Sequence, residues 1–247
     1  MNPTEPPSAS QKFVTFFVPA FNEEHNIQRA LASIVEAAAT TGVTPEILVY
    51  DDCSKDGTAQ KVEEFGRQHP TLRLELVRNS RTYGLGYNYV EAAFRGSGRY
   101  FMLVNGDADI TSDEIVAIVA NTGKADIIIP FLGQNDARRG GRKLLSVVFT
   151  GLINLISGHK VSYYNGPVLH LRYNVMRWHP DSMGFAYQAE LITRLLDQGA
   201  TFLEVPIRNS ERDSGVSKAL SFKNFLSVSH SIVQIFLRRV RKAIFGV

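Results

Sequence analysis

Along the first half of the chain, apolar residues come in short unbroken runs separated by stretches with helical spacing. Residues 13–19 (FVTFFVP) form a continuous apolar run of strand length, as expected for a strand covered on both faces. Residues 46–50 (EILVY), 100–104 (YFMLV) and 126–130 (DIIIP) read the same way. Leu72, Leu74 and Leu76 alternate with Arg and Glu, which marks a strand with one face more exposed. Ile27, Leu31, Ile34 and Val35 give a helix one apolar face, with Asn22 expected as its cap and Glu23 and Glu24 in its first turn. Further helices are expected over 58–68, with Val62 and Phe65 inward, over 85–95, and over 112–121 behind a Ser112 cap. The second half reads as helix (143–157), irregular or hairpin stretch (161–178), helix (185–198), strand (201–207), loop (208–217) and helix (220–242). Residues 1–11 read as a disordered tail, 12–219 as one domain, and 220–247 as an amphipathic, basic C-terminal helix.

Strands separated by helices at this spacing imply an α/β chain with a doubly wound, mainly parallel sheet flanked by helices. Such sheets bind ligands outside the carboxyl ends of their strands, so unusual polar residues are expected there. They are present. The first strand runs into Pro19-Ala20-Phe21-Asn22-Glu23-Glu24, the second into Asp51-Asp52-Cys53-Ser54-Lys55-Asp56-Gly57-Thr58, and the fourth into Asn105-Gly106-Asp107-Ala108-Asp109. Three acidic clusters on one sheet edge repel each other, and a divalent cation relieves that repulsion. Mg²⁺ or Mn²⁺ suits carboxylate donors, with phosphates and waters completing the shell. Asp107 and Asp109 would face opposite ways in a regular strand, but a turn at the strand end lets both approach one ion. A lone D-x-D is common on surfaces, and Asp51-Asp52 alone also suits a turn and helix cap. The three together, at these strand ends, favour a shared site.

Composition narrows the classes. At 44% hydrophobic and 21% charged, the chain is globular rather than fibrous or disordered. A single cysteine, Cys53, excludes an internal disulfide framework and points to a reducing compartment. The N-terminus lacks the pattern of a secretory signal. The longest uncharged apolar run is 15 residues (144–158), short of a membrane span. The net charge of +3 is uneven: from Ser214 onward there are six basic residues (Lys218, Lys223, Arg238, Arg239, Arg241, Lys242) and no acid. This suggests a negatively charged partner met at one end. A nucleic-acid partner has only that basic tail in its favour.

VPAFNEE, YDDCSKDGT, NGDAD, GFAYQAELITRLLDQG, EVPI and the R-x-x-G-x-S-K of Arg212 to Lys218 resemble the inverting family-2 glycosyltransferases of GT-A fold. Within them the chain is most similar to the dolichyl-phosphate mannosyltransferase and polyprenyl-phosphate glycosyltransferase branch, over about residues 13–220. The resemblance implies a hexosyltransferase moving a sugar of mannose or glucose type from a nucleotide sugar to a polyprenyl phosphate, with Mg²⁺ or Mn²⁺ as cofactor. It places Pro19, Phe21, Glu23, Asp51, Asp52, Gly106 and Asp107 around the nucleotide sugar, with Asp51 reading the base edge. Asp107 and Asp109 become the metal-binding pair. Arg212 and Lys218 become the basic pair that meets phosphate, with Ser217 between them. Where the branch carries a metal-contacting Gln, this chain has Thr111, which implies a weaker or water-mediated contact.

The acceptor decides whether a base is needed. An ionised phosphate needs little help, whereas a sugar hydroxyl needs a carboxylate. Glu190 is the candidate base; the alternative is a surface glutamate paired with Arg194 one turn on. Arg138, Arg139, Arg142 and Lys143 flank two glycines in what is expected to be a mobile loop, and the resemblance gives Arg138, Arg139 and Arg142 to the acceptor phosphate. In the C-terminal helix, apolar residues from Phe222 to Ile244 recur three or four apart beside Arg238, Arg239, Arg241 and Lys242. That pattern suits either core packing or docking on an anionic membrane surface. The resulting expectation is a cytoplasmic protein held peripherally at the cytoplasmic face of a membrane. The competing functions are a family-2 transferase acting on a saccharide or other hydroxyl, and a nucleotide-sugar-binding protein without turnover.

Overall fold

The computed structural model describes residues 13–132, 140–178, 186–207 and 222–245. Among the described residues, seven strands and eight helices follow one another as β1 (Phe13–Ala20), α1 (Ile27–Thr41), β2 (Thr44–Asp51), α2 (Thr58–Gln68), β3 (Arg73–Arg78), α3 (Leu85–Arg95), β4 (Tyr100–Leu103), α4 (Ser112–Val119), β5 (Ile127–Leu132), α5 (Gly140–Ser157), β6 (Leu169–Leu171), α6 (Arg172–Met176), α7 (Tyr187–Asp197), β7 (Phe202–Ile207) and α8 (Phe222–Phe245). They form one sheet of order β3-β2-β1-β4-β6-β5-β7, in which only β6 runs antiparallel to its neighbours.

The apolar runs are continuous because both faces of the sheet are covered. Phe16, Val18, Ile47, Val49, Met102 and Ile128 face α1, α2 and α4. Their alternates Phe17, Leu48, Phe101, Leu103, Ile127 and Ile129 face α3, α5, α6, α7 and α8. Phe17 sits edge-on to Tyr50 and Tyr89, at ring-centroid distances of 5.5 and 5.8 Å.

Four expectations need correction. Asn22 does not cap α1, which begins at Ile27 with Asn26 at the cap position; Asn22 adopts φ 58°, and Glu23 and Glu24 lie in the connecting turn. Helix α4 is capped by Thr111 rather than Ser112, in a reciprocal box with Glu114: Glu114 Oε2 accepts from Thr111 N (2.8 Å) and Oγ1 (3.0 Å). The hydroxyl is therefore committed to the helix start, and the implied metal contact of Thr111 finds no support. The segment expected as a loop through Lys143 is helical from Gly140. Finally, Arg238 and Arg239 do not form an outward basic cluster. Both turn to Asp197 at the end of α7: Arg239 Nη1 lies 2.7 Å from Oδ1 and Arg238 Nε 3.2 Å from Oδ2. Arg238 Nη2 also donates to Thr193 Oγ1 (2.6 Å), and His159 Nε2 lies 3.0 Å from Asp197 Oδ1. No helix among the described residues is long and apolar enough to cross a membrane. The tail, residues 1–11, lies outside the described residues.

His170 marks an unusual point in the core. It stands in register between Phe101 and Ile127 on the antiparallel strand, wholly buried, with neither ring nitrogen hydrogen-bonded. Burial holds its pKa down at about 3, against an ordinary 6.5. The unfolded chain therefore binds a proton that the folded chain refuses between those two values, so His170 costs stability as the pH falls below 6.5. Unfolding free energy is expected to drop by about 2 kcal/mol from pH 6.5 to 5 on this account, at about 1.4 kcal/mol per unit. In His170→Leu that share of the slope should vanish in urea melts at the two pH values; an unchanged slope would show that the ring is not protonated on unfolding.

Candidate active site

The strand order reverses between β1 and β4, which makes the crevice beyond their carboxyl ends the expected ligand site. Hydrogen bonding continues past the strands there. Val104 N donates to Phe17 O (3.0 Å), Gly106 N to Pro19 O (3.1 Å), Asp52 N to Ala20 O (2.9 Å) and Asn79 N to Asp51 O (2.9 Å). This ladder brings the segments after β1, β2, β3 and β4 to one edge. Gly106 is required where it stands: a Cβ there would lie 2.9 Å from Pro19 O and 3.1 Å from Ile27 Cδ1.

At three of these strand ends a residue other than glycine takes the left-handed conformation: Asn22 (φ 58°), Cys53 (φ 72°) and Ala108 (φ 55°). Such residues cost about 1–2 kcal/mol each outside glycine and concentrate where geometry serves a ligand. Ala108 breaks the strand alternation between Asp107 and Asp109, as the D-x-D reading requires. Asn105 Nδ2 sits 3.4 Å from each oxygen of Asp109.

The first two loops are zipped together by side chains. Ser54 Oγ accepts from Asn22 N (2.9 Å), Asn22 Oδ1 from Lys55 N (2.8 Å), Thr58 Oγ1 from Glu23 N (2.8 Å) and Glu24 Oε2 from Gly57 N (2.8 Å). Asp51 is buried, with Oδ1 accepting from Ser54 N (2.9 Å). Phe21, after β1, is 40% exposed, while Pro19 and Glu23 are half-buried.

Asp52, expected beside the nucleotide, is engaged by three protein donors. Its Oδ1 accepts from Asn79 Nδ2 (2.8 Å) and Tyr83 N (2.9 Å), and its Oδ2 from Gly84 N (3.0 Å). Burial pushes this carboxyl up, but those donors outweigh burial and hold it below the usual range. Asp52 thus ties the β3–α3 loop to β2. Asn79 and Tyr83 were missed by sequence reasoning because they lie about thirty residues away from Asp52 with no motif to flag them. Asn105 and Ser54 sat inside recognised motifs without an assigned role.

Glu190 occupies the first turn of α7 at 1% exposure, so the surface reading of that residue is overturned. Desolvation lowers the pKa of Arg238, and the charges of Asp197 and Glu190 oppose that shift. Arg138, Arg139, Arg212, Ser217 and Lys218 lie outside the described residues; Arg142 lies on α5, and its side chain is outside them.

Among the described residues no group of three or more His, Cys, Asp or Glu converges as a closed metal cage. The open pair Asp107 and Asp109, both half-buried, fits a hard cation that takes its other ligands from phosphate and water.

Fold and site together define an α/β protein with an acidic crevice at the switch point of its sheet, where such sheets bind ligands. A family model, glycosyl transferase family 2, matches residues 15–177. An undecaprenyl-phosphate 4-deoxy-4-formamido-L-arabinose transferase of Edwardsiella ictaluri is 23% identical over 215 residues, 84% of this chain. The match spans 63% of that relative's length. Among solved structures, glucosyl-3-phosphoglycerate synthase from Mycobacterium tuberculosis bound to UDP superposes with a TM-score of 0.68 at 15% identity, over 91% of this chain and 80% of its own. The same synthase holding Mn²⁺, UDP and phosphoglyceric acid gives 0.68 at 16% identity, over 92% and 78%. S. aureus TarS gives 0.57 at 17% identity, over 94% and 72%. The chain belongs to glycosyl transferase family 2, and its fold is of the GT-A type.

Proposed function

We propose that this transferase moves a hexose from a nucleotide sugar to a polyprenyl phosphate, with inversion at the anomeric carbon. The observation that supports the donor half is that the segments carrying Asp51, Asp107 and Asp109 reach one edge of the sheet beside the β1/β4 switch point. The acceptor half is supported by the similarity to a transferase named for undecaprenyl phosphate.

Asp51 would read the base edge from a position fixed by Ser54, and Phe21 would cover the base with its exposed ring. Asp107 and Asp109 would hold Mg²⁺ or Mn²⁺, which when bound supplies positive charge to a departing diphosphate. Arg212 and Lys218 would add phosphate contacts as that charge grows, and Arg138, Arg139, Arg142 and Ser217 would orient the acceptor phosphate. An acceptor oxygen forms the new bond to the anomeric carbon as the bond to the nucleoside diphosphate breaks. On this reading Glu190 is not needed as a base, because an ionised phosphate acceptor has no proton to lose; the charge of Glu190 acts on Arg238 instead.

Product analysis with a panel of nucleotide sugars, with and without polyprenyl phosphate, tests the proposal. Glu190→Gln sharpens it. With a phosphate acceptor the loss in kcat should stay under about tenfold, whereas loss of a true general base costs about 10²–10⁴-fold. A large loss, or a product formed only on a saccharide, would overturn the lipid-phosphate reading.

A further inference from the structure

Helix α5 turns apolar side chains both inward and outward: Ile153 is buried in the core, with Phe149 and Ile156 packed against it. Its buried positions include Thr150 and Ser157, whereas Leu144, Leu145, Val147, Val148, Leu152 and Leu155 are exposed, Leu155 at 81% and Leu144 at 66%. Helix α8, which packs against α5, repeats the pattern. Ser231 is buried and Arg238 and Arg239 turn inward to Asp197, while Val233, Phe236, Leu237, Ile244 and Phe245 are exposed. An ordinary surface helix keeps its outward face polar, and clustered outward apolar side chains on neighbouring helices mark an interaction surface.

We propose that α5 and α8 together form a docking platform for the headgroup–acyl boundary of an anionic bilayer, with both helices lying in the membrane plane. This rests on the lipid-acceptor reading and goes beyond the C-terminal helix by making α5 an equal partner. Charge selects the occupant. Neither helix contains an Asp or Glu, and Lys143 and Arg241 stand exposed among the apolar residues. Two copies meeting through this face about a twofold axis would pair a face that carries only positive charge with itself. An anionic leaflet offers the opposite charge together with an apolar layer. The inward pairing of Arg238 and Arg239 fixes which side of α8 is left to the lipid.

The test uses the full chain and sedimentation with vesicles of phosphatidylglycerol and phosphatidylethanolamine, against vesicles of phosphatidylcholine alone. Wild type should bind the anionic vesicles more tightly. Leu145→Gln/Val148→Gln/Leu155→Gln on α5 and, separately, Val233→Gln/Phe236→Gln on α8 should each weaken that binding by at least roughly tenfold, since each removes several apolar side chains from the contact. Melting temperature and donor hydrolysis by water should be unchanged in both. The proposal is overturned if wild type does not sediment with anionic vesicles, or if the α5 variant binds as wild type does. It is equally overturned if the chain is a dimer that the α5 changes dissociate while vesicles are ignored. Vesicle binding without transfer to polyprenyl phosphate would uphold the platform and remove the lipid-acceptor reading. Transfer to a short-chain, water-soluble prenyl phosphate without vesicle binding would remove the platform alone.

Discussion

Asp109→Asn should reduce glycosyl transfer at least about a thousandfold, with the melting temperature within a degree or two of wild type. A thousandfold loss corresponds to about 4 kcal/mol of transition-state stabilisation, within the several kcal/mol that charge neutralisation at a leaving diphosphate supplies. The fold should tolerate the change, because Asp109 is half-buried and Asn keeps its size and shape. Wild type treated with a chelator should show a comparable loss, restored by Mg²⁺ or Mn²⁺. Initial-rate assays decide the matter: full activity in the variant, or in chelator, removes the metal role of the pair.

Asp197→Ala should do the opposite, damaging the fold rather than the chemistry directly. Asp197, with a side chain only 9% exposed, faces Arg238, Arg239 and His159. Its removal leaves two guanidiniums partly buried with their shared carboxylate gone, and breaking such a pair costs about 3–5 kcal/mol. For a chain of this size that lowers the melting temperature by about 6–20 °C. Arg241→Gln, at an exposed position of the same helix, should shift it by less than about 2 °C. Thermal melts followed by circular dichroism test both. A stable Asp197→Ala protein would mean that α8 is held by its apolar contacts alone.

These two residues also show how far the sequence could be read. Asp107 and Asp109 were legible because strand-end carboxylates are a local signal: the motif and its place in the alternating pattern sit in one window. The same holds for α2 and α3, whose starts and ends agree with the spacing of Val62 and Phe65 and with the 85–95 pattern. Asp197 was illegible. Its partners Arg238 and Arg239 are about forty residues away, and from sequence alone they read as part of a basic cluster suited to an anionic membrane surface. The partners of Asp52 were illegible for the same reason, since Asn79, Tyr83 and Gly84 engage it only after β2 and β3 pair. The start of α1 failed on a different count. Asn22-Glu23-Glu24 has the composition of a helix start, but tertiary hydrogen bonds to Ser54, Lys55, Gly57 and Thr58 claim those residues first.

The two faces of the sheet differ in when they can be completed. The face covered by α1, α2 and α4 is closed largely by the first half of the chain, from segments that are neighbours in sequence. The other face needs α3, α5, α6, α7 and α8, and its last cover is the helix that ends the described residues. With synthesis at about 5–20 residues per second, the first layer has seconds to form before α8 emerges. The outward apolar stripe on α8 acquires a fixed direction only when Arg238 and Arg239 find Asp197. On the proposed reading, the lipid-facing side is thereby completed only once α8 has been made, after the face covered by α1, α2 and α4 has already closed.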